Sequence, residues 1–394
     1  MQSSGEELKA EAREGEGAHG RGPAARTRLL SLDAFRGLTV AAMILVNNPG
    51  TWGAIYAPLR HAEWHGWTPT DLIFPFFLFI VGVSIALALG PRAERTGPKR
   101  DLYLKIARRC ALIFALGLIL AGFPFFDLAT IRIPGVLQRI AVCYLFASVI
   151  FINTDTRKQI FITAALLVAY WMLMTLVPIP GHGPADLGDK EWNLAAYFDR
   201  LVLGPHIWKA GKVFDPEGIL STIPAVATTL TGVVTGAWLR APASDSEKVG
   251  GMLKAGVGLA VAGWAWGVWF PINKSLWTSS YVLLTTGLAL LLLALCYWLI
   301  DVKGRRRWAL PFIVFGTNAL AVFFLTGLVA RTMSLVKVAG ADGREVNLQQ
   351  HIFRNLFASW ASPVNASLLY AVCFVLVWLG LMAILYRKRI FIKV

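Results

Sequence analysis

Residues 71–90 read DLIFPFFLFIVGVSIALALG. After Asp71 no charged side chain occurs in the run, and its length matches the roughly 20 residues a helix needs to cross a hydrocarbon layer of ~30 Å. Apolar runs of similar length recur at 32–49, 104–123, 134–153, 159–178, 219–239, 252–270, 279–301, 308–330 and 366–386. Pro75, Pro224 and Pro311 fall inside such runs, and membrane helices tolerate these breakers better than soluble ones do. The composition agrees, with 56% hydrophobic and 15% charged residues and a mean hydropathy of +0.58, against about a quarter charged in soluble domains. The sequence therefore predicts an all-α, polytopic membrane protein with about ten transmembrane helices. Residues 1–28, rich in Gly, Ala, Glu and Arg and without the apolar core of a secretory signal, are expected to be a disordered cytoplasmic tail. Residues 29–394 are expected to form the membrane domain, and no internal repeat divides it.

The net charge of +15 is spread between the apolar runs instead of forming one patch, which favours a membrane surface over nucleic acid as the partner. Alternate segments differ sharply in Lys and Arg. The tail and residues 91–109, 154–158, 239–254, 302–307 and 387–394 hold 25, whereas 50–70, 124–133, 179–218, 271–278 and 331–365 hold 11. Cytoplasmic loops hold the excess, so both termini are expected inside and the second set of loops outside. Arg36 and Arg139 lie within predicted spans.

Few side chains in such a chain can do chemistry. Cys110, Cys143, Cys296 and Cys373 are isolated, without CxxC spacing, and read as small hydrophobes. The outer stretch Leu59-Arg-His-Ala-Glu-Trp-His-Gly-Trp67 packs two imidazoles, a carboxylate and two indoles just before residue 71. His61 and His65 have the i, i+4 spacing of a two-histidine metal site, but Gly66 and Thr68-Pro69 argue against a long helix there. No metal is expected, and His61 is left as a general base, an acyl acceptor or part of an interfacial loop. Asp71 is either a helix cap or a catalytic carboxylate, and Asn47, at the outer end of the first span, is either a cap or a group that orients a carbonyl. Asn318, in the middle of the span 308–330, must pair with a neighbour or line a polar cavity. Arg108 and Arg109 suit phosphates or lipid headgroups. Arg139, beside Gln138, needs an anionic ligand or a carboxylate such as Asp33. Outer tryptophans fit an aromatic belt, with one or two available to stack on a sugar. Helices broken around buried amides also suit an amino-sugar transporter, though the missing repeat weakens that alternative.

Seven ordered blocks carry a more specific signal: Asp33-Ala-Phe-Arg-Gly37, His61-Ala-Glu-Trp64, Asp71-Leu-Ile-Phe-Pro75, Arg132-Ile-Pro-Gly-Val-Leu-Gln-Arg139, Asp199-Arg-Leu-Val-Leu-Gly204, Asp215-Pro-Glu-Gly-Ile-Leu220 and Pro271-Ile-Asn-Lys-Ser-Leu-Trp277. From about Arg28 to the C-terminus the chain resembles the transmembrane N-acetyltransferases typified by heparan-α-glucosaminide N-acetyltransferase, in a short form like the bacterial relatives. The resemblance implies acetyl transfer from cytoplasmic acetyl-CoA, as co-substrate, to the amino group of a glucosamine-type sugar across the membrane. It also implies a catalytic role for His61 and an acetyl-side role for Asn47. Asp71 completes the expected catalytic set, and Arg139, Gln138, Arg108, Arg109 and Asn318 form the expected donor-binding set. Position 65 is His where the lysosomal pattern has Asn. The expected acceptor is glucosamine from wall or chitin turnover, the expected location a bacterial inner membrane, and a homodimer and another acyl donor are left open.

Overall fold

The computed structural model describes residues 29–94, 97–340 and 344–392, so the expected tail at 1–28 lies outside the described residues. The helices are α1 (Leu30–Asn47), α2 (Ile73–Ala93, entered through a 3₁₀ turn at Pro69–Leu72), α3 (Arg100–Gly122), α4 (Val136–Asn153), α5 (Thr156–Leu176), α6 (Leu194–Leu203), α7 (Thr222–Arg240) and α8 (Asp245–Trp266). They continue as α9 (Ser279–Cys296, running on through a π-helical turn at Tyr297–Val302), α10 (Leu310–Thr317), α11 (Ala319–Leu335), α12 (Leu348–Leu356) and α13 (Pro363–Arg387). A two-stranded antiparallel ribbon, β1 (Lys337–Ala339) and β2 (Glu345–Asn347), pairs Val338 with Val346. The fold is an all-α polytopic membrane protein, and every expected span is helical.

Among the described residues, eight helices are long and apolar enough to cross a membrane, or nine if α10 and α11 count as one span. The one expected span outside that count is α3, whose first ten residues include Arg100, Asp101, Lys105, Arg108 and Arg109. Two expectations need correction. The run 308–330 is not one helix, because the chain turns by 82° between α10 and α11, at Asn318. The helix expected at 252–270 begins at Asp245, where Ser244 and Glu247 form a reciprocal capping box that composition alone does not reveal.

Five spans form the centre. In α1, α2, α4, α7 and α9 more than half of the apolar window is buried, whereas in α5, α8 and α13 less than a third is. The central helices approach closely through glycine: a Cβ at Gly82 would overlap the Thr229 carbonyl and one at Gly232 the Phe79 carbonyl, which fastens α2 to α7 as small residues do between membrane helices. Gly37 and Gly316 do the same between α1 and α10.

The loops gather at two ends. At one end Trp64 Nε1 donates to Leu187 O at 2.8 Å, Ile133 N donates to His206 O at 3.0 Å, Lys274 reaches His61, and Gln349 Nε2 donates to Pro49 O at 3.1 Å. These contacts join the five loops that are poor in Lys and Arg. At the other end Arg240 pairs with Glu94, Tyr297 donates to Asp245, and Ser31 N donates to Asp301 at 3.1 Å.

Candidate active site

His61 stands in the loop between α1 and α2, which is folded back by Arg60 Nε donating to Ile55 O and by Thr68 Oγ1 donating to Arg60 O. Pro69 opens the 3₁₀ turn, and Asp71, its third residue, receives the Thr68 amide on Oδ2 at 3.0 Å. The cap is only one of its roles. The same Oδ2 accepts Ala62 N at 3.0 Å and Thr68 Oγ1 at 3.1 Å, while Oδ1 lies 2.6 Å from His61 Nδ1. Tyr281 OH donates to the Asp71 carbonyl at 2.5 Å. Asp71 is 1% exposed, yet the His61 side chain is 47% exposed, so a buried carboxylate holds an imidazole whose other face is open. A carboxylate at Nδ1 selects the tautomer with the proton there and makes Nε2 the ring's acceptor, which Lys274 Nζ approaches to 3.4 Å.

Lys274, in the short loop before α9, brings Nζ to 3.5 Å from Asp71 Oδ1 and 3.0 Å from His61 Nδ1. With Nδ1 protonated, the ammonium serves the carboxylate. Burial pushes the Lys274 ammonium below its usual range, opposed by Asp71 and then by Glu217.

The facing wall is a second charge cluster. Arg132 Nε donates to Asp215 Oδ2 at 2.8 Å, and its Nη2 reaches both Asp215 and Glu217. Asp215 Oδ2 also accepts Trp208 N at 2.8 Å. The two carboxylates hold the Arg132 guanidinium above its usual range against the opposing effect of burial, which is the largest single influence. Trp64 packs edge-on against Phe214 with centroids 5.2 Å apart. Together these groups enclose a cavity of about 530 Å³ lined by Asn47, His61, Glu63, Trp64, Asp71, Phe74, Arg132, Trp208, Phe214, Glu217 and Lys274.

The structure thus brings Asn47, His61 and Asp71 to one cavity. The expected donor-binding residues are not gathered in one place. Arg139 is buried, donates to Pro216 O at 2.9 Å, Gly218 O at 3.0 Å and Ser221 Oγ, and lies over the Trp277 ring at 5.1 Å. It grips the chain beside Glu217 instead of pairing with Asp33, whose Oδ1 accepts Arg36 Nη1 at 2.9 Å. Gln138 is buried next to it, its amide seated where a Cβ at Gly117 or Gly135 would lie. Arg109 stands apart, over Tyr144 at 5.0 Å. With Arg36, Ser84, Tyr144, Thr317 and Ile392 it lines a second cavity of about 340 Å³. Arg108 is exposed. Asn318 takes the pairing option: Nδ2 donates to Ile390 O at 3.1 Å and Oδ1 accepts Ile392 N at 2.8 Å. The sharp turn between α10 and α11 is thereby tied to the C-terminal segment.

The two cavities lie along one seam between α1, α2 and α4. Met43, Phe74 and Val136 line the first, and Arg36, Ile80, Ile140 and Tyr144 line the second, each a turn or more away along the same helix.

His65 does not line the His61 cavity. Its Nδ1 is 3.3 Å from Asn273 Nδ2, and partial burial lowers its pKa, opposed by Asp186. Among the described residues no three His, Cys, Asp or Glu side chains gather as a metal cluster. Sequence reasoning did not single out Lys274, Arg132 or Glu217 individually, although each stands in one of the quoted blocks. The usable signal was a charged residue in a short loop flanked by apolar spans.

The family model described as "Heparan-alpha-glucosaminide N-acetyltransferase, catalytic" matches residues 28–265. The chain is similar to the heparan-alpha-glucosaminide N-acetyltransferase of Homo sapiens, 31% identical over 427 aligned positions covering 93% of this chain and 60% of the relative. It is 27% identical to the Mus musculus protein of the same name over 423 positions, with the same coverage. The chain thus spans about three fifths of the length of these relatives.

Proposed function

The chain belongs to the heparan-alpha-glucosaminide N-acetyltransferase family, and on that premise we propose that it moves an acetyl group from acetyl-CoA to the amino group of a glucosamine-type sugar. The observation that carries this reading is the Asp71–His61 pair, 2.6 Å apart, opening into a cavity shared with Asn47 and the aromatic side chains of Trp64, Phe74, Trp208 and Phe214. Trp64, Trp208 and Phe214 offer apolar faces of the kind that pack on a sugar ring, and the ~530 Å³ volume suits a small sugar ligand. Acetyl-CoA supplies the activated acetyl thioester. His61 Nε2 takes the proton of the attacking amine as the nitrogen–carbonyl bond forms, and returns a proton to the departing sulfur as the carbon–sulfur bond breaks. Asp71 keeps the imidazole in the required tautomer and stabilises its protonated form. Asn47 donates a hydrogen bond to the carbonyl oxygen as negative charge develops there.

The second cavity fits the polar end of the donor. Arg109 has no carboxylate partner among the described residues, and Arg36 is close by on the same seam. Phosphates held there leave the thioester directed along α1, α2 and α4 toward His61. The distribution of Lys and Arg supports a cytoplasmic position for this second cavity and an extracytoplasmic one for His61.

The test is incubation of the purified protein with acetyl-CoA and a panel of amino sugars, with N-acetylated product read by mass. Transport of an amino sugar without acetylation would replace this reading by the transporter alternative. An engineered cysteine at position 182 reached only by membrane-permeant reagents would reverse the orientation.

A further inference from the structure

Beside the active-site cavity lies a groove that the steps above do not use. Gln138, Val142, Phe146 and Ile150 follow one another at four-residue intervals and form one row along α4. Ile162 and Leu166 of α5 face them across a space of about 460 Å³. From Gln138 to Ile150 the row extends about 18 Å at the rise of an α-helix. Phe146 is more than half exposed, so the groove opens toward the hydrocarbon layer. It is apolar except at its His61 end, where Gln138 Nε2 and Arg139 Nε are buried without a hydrogen-bond partner among the described residues. Gln138 is 4% and Arg139 2% exposed. Buried donors in native proteins nearly always have an acceptor. Glu217 lines both this groove and the active-site cavity.

We propose that the groove holds the hydrocarbon chain of a membrane-anchored acceptor, an amphiphile whose amino-sugar headgroup is joined to the chain through an oxygen linkage. The proposal rests on the acetyl-transfer reading and names the acceptor class. The headgroup occupies the His61 cavity, the linking oxygen accepts from Gln138 Nε2 and Arg139 Nε, and the chain follows the α4 row away from the loops. That direction, polar end at the loops and tail toward the middle of the bundle, is the one a lipid takes within a leaflet. A free sugar leaves both donors and the groove unused. An ordinary lipid seated alone leaves unexplained why one residue walls both spaces.

The test uses protein reconstituted in lipid nanodiscs and three probes: dodecyl glucosaminide, free glucosamine, and dodecyl glucoside, which lacks the amine. Binding is read by calorimetry and transfer by product mass. The expected KM for dodecyl glucosaminide is at least tenfold below that for glucosamine. Val142→Trp, which fills the groove, raises the first KM at least tenfold more than the second, and Ile162→Trp serves as an independent filling variant. Gln138→Leu weakens dodecyl glucosaminide binding three- to tenfold. Equal KM values for the two amines, or filling variants that act equally on both, overturn the proposal. So does dodecyl glucoside binding as tightly as the glucosaminide, since the groove then accepts any chain. Binding of dodecyl glucosaminide that filling abolishes, with no acetylation of any acceptor, keeps the groove and rejects acetyl transfer.

Discussion

At the His61 end, the seam between α1, α2 and α4 is walled by side chains delivered from separate loops, whereas at the Arg36 end the walls come almost wholly from helix interiors. The loop-built cavity holds most of its charges in two groups: Asp71 serves His61 and Lys274, and Arg132 serves Asp215 and Glu217. The helix-built cavity leaves Arg109 over an aromatic ring with no carboxylate partner among the described residues. Loops have little packing to fix a catalytic angle, so ion pairs and hydrogen bonds supply it. Helices already fix position, and a charge there can be left for a ligand.

Substitutions should separate the two ends. The largest effect is expected from His61→Ala, which removes the base and lowers kcat by about 10²- to 10⁴-fold with acetyl-CoA binding retained. A comparable loss is expected from Asp71→Asn, and near-normal turnover in either variant would dissolve the assigned pair. Next in size, Arg132→Gln leaves buried Asp215 without its cation, a change that costs about 3–5 kcal/mol when a buried pair is broken. It should show as a clear drop in melting temperature in detergent.

At the other end, Arg109→Gln should raise the KM for acetyl-CoA about tenfold to a hundredfold, the equivalent of a charge-assisted hydrogen bond of roughly 1.5–3 kcal/mol, with the sugar KM unchanged. Arg139→Gln should instead lower the melting temperature, because its partners are the carbonyls of Pro216 and Gly218. If Arg139→Gln selectively weakened the donor and Arg109→Gln did not, the division between the two ends would be reversed.

A pH-dependent effect is expected from Asp199 in α6, whose pKa burial raises to about 7, with the Ile219 amide opposing and nearby Asp215 adding to the rise. The folded state then binds more protons than the unfolded one between about pH 4 and pH 7, so this group's contribution to stability falls as pH rises through that window. Melting curves across it should be flatter for Asp199→Asn than for the parent chain; parallel curves would remove the effect.

Much of this was legible from residue order, and the reasons it stopped are physical. Apolar runs report helices because a bilayer demands them, and alternating Lys and Arg density groups the loops into two sets. Both signals are local or additive. His61, Asn47 and Asp71 were legible because polar groups are scarce beside spans. Arg139 was also recognised as needing partners, yet its partners are backbone carbonyls some 80 residues away, which no side-chain pattern announces. Asn318 was expected to pair or to line a cavity, and only the fold shows the 82° turn that pairs it with Ile390 and Ile392. Lys274 was hidden for a similar reason: its meaning depends on reaching residues 61 and 71 across the bundle.

The tie between Asn318 and residues 390–392 sets an order of assembly. Ile392 walls the cavity whose other sides come from residues 36 to 320, so that cavity stays open on one side until residues 390–392 have left the ribosome. At about 5–20 residues per second, the stretch from Leu320 to Ile392 takes roughly 4 to 15 seconds to make. During that interval the early helices can already be packed in the membrane around an unfinished chamber, which residues 390–392 then close.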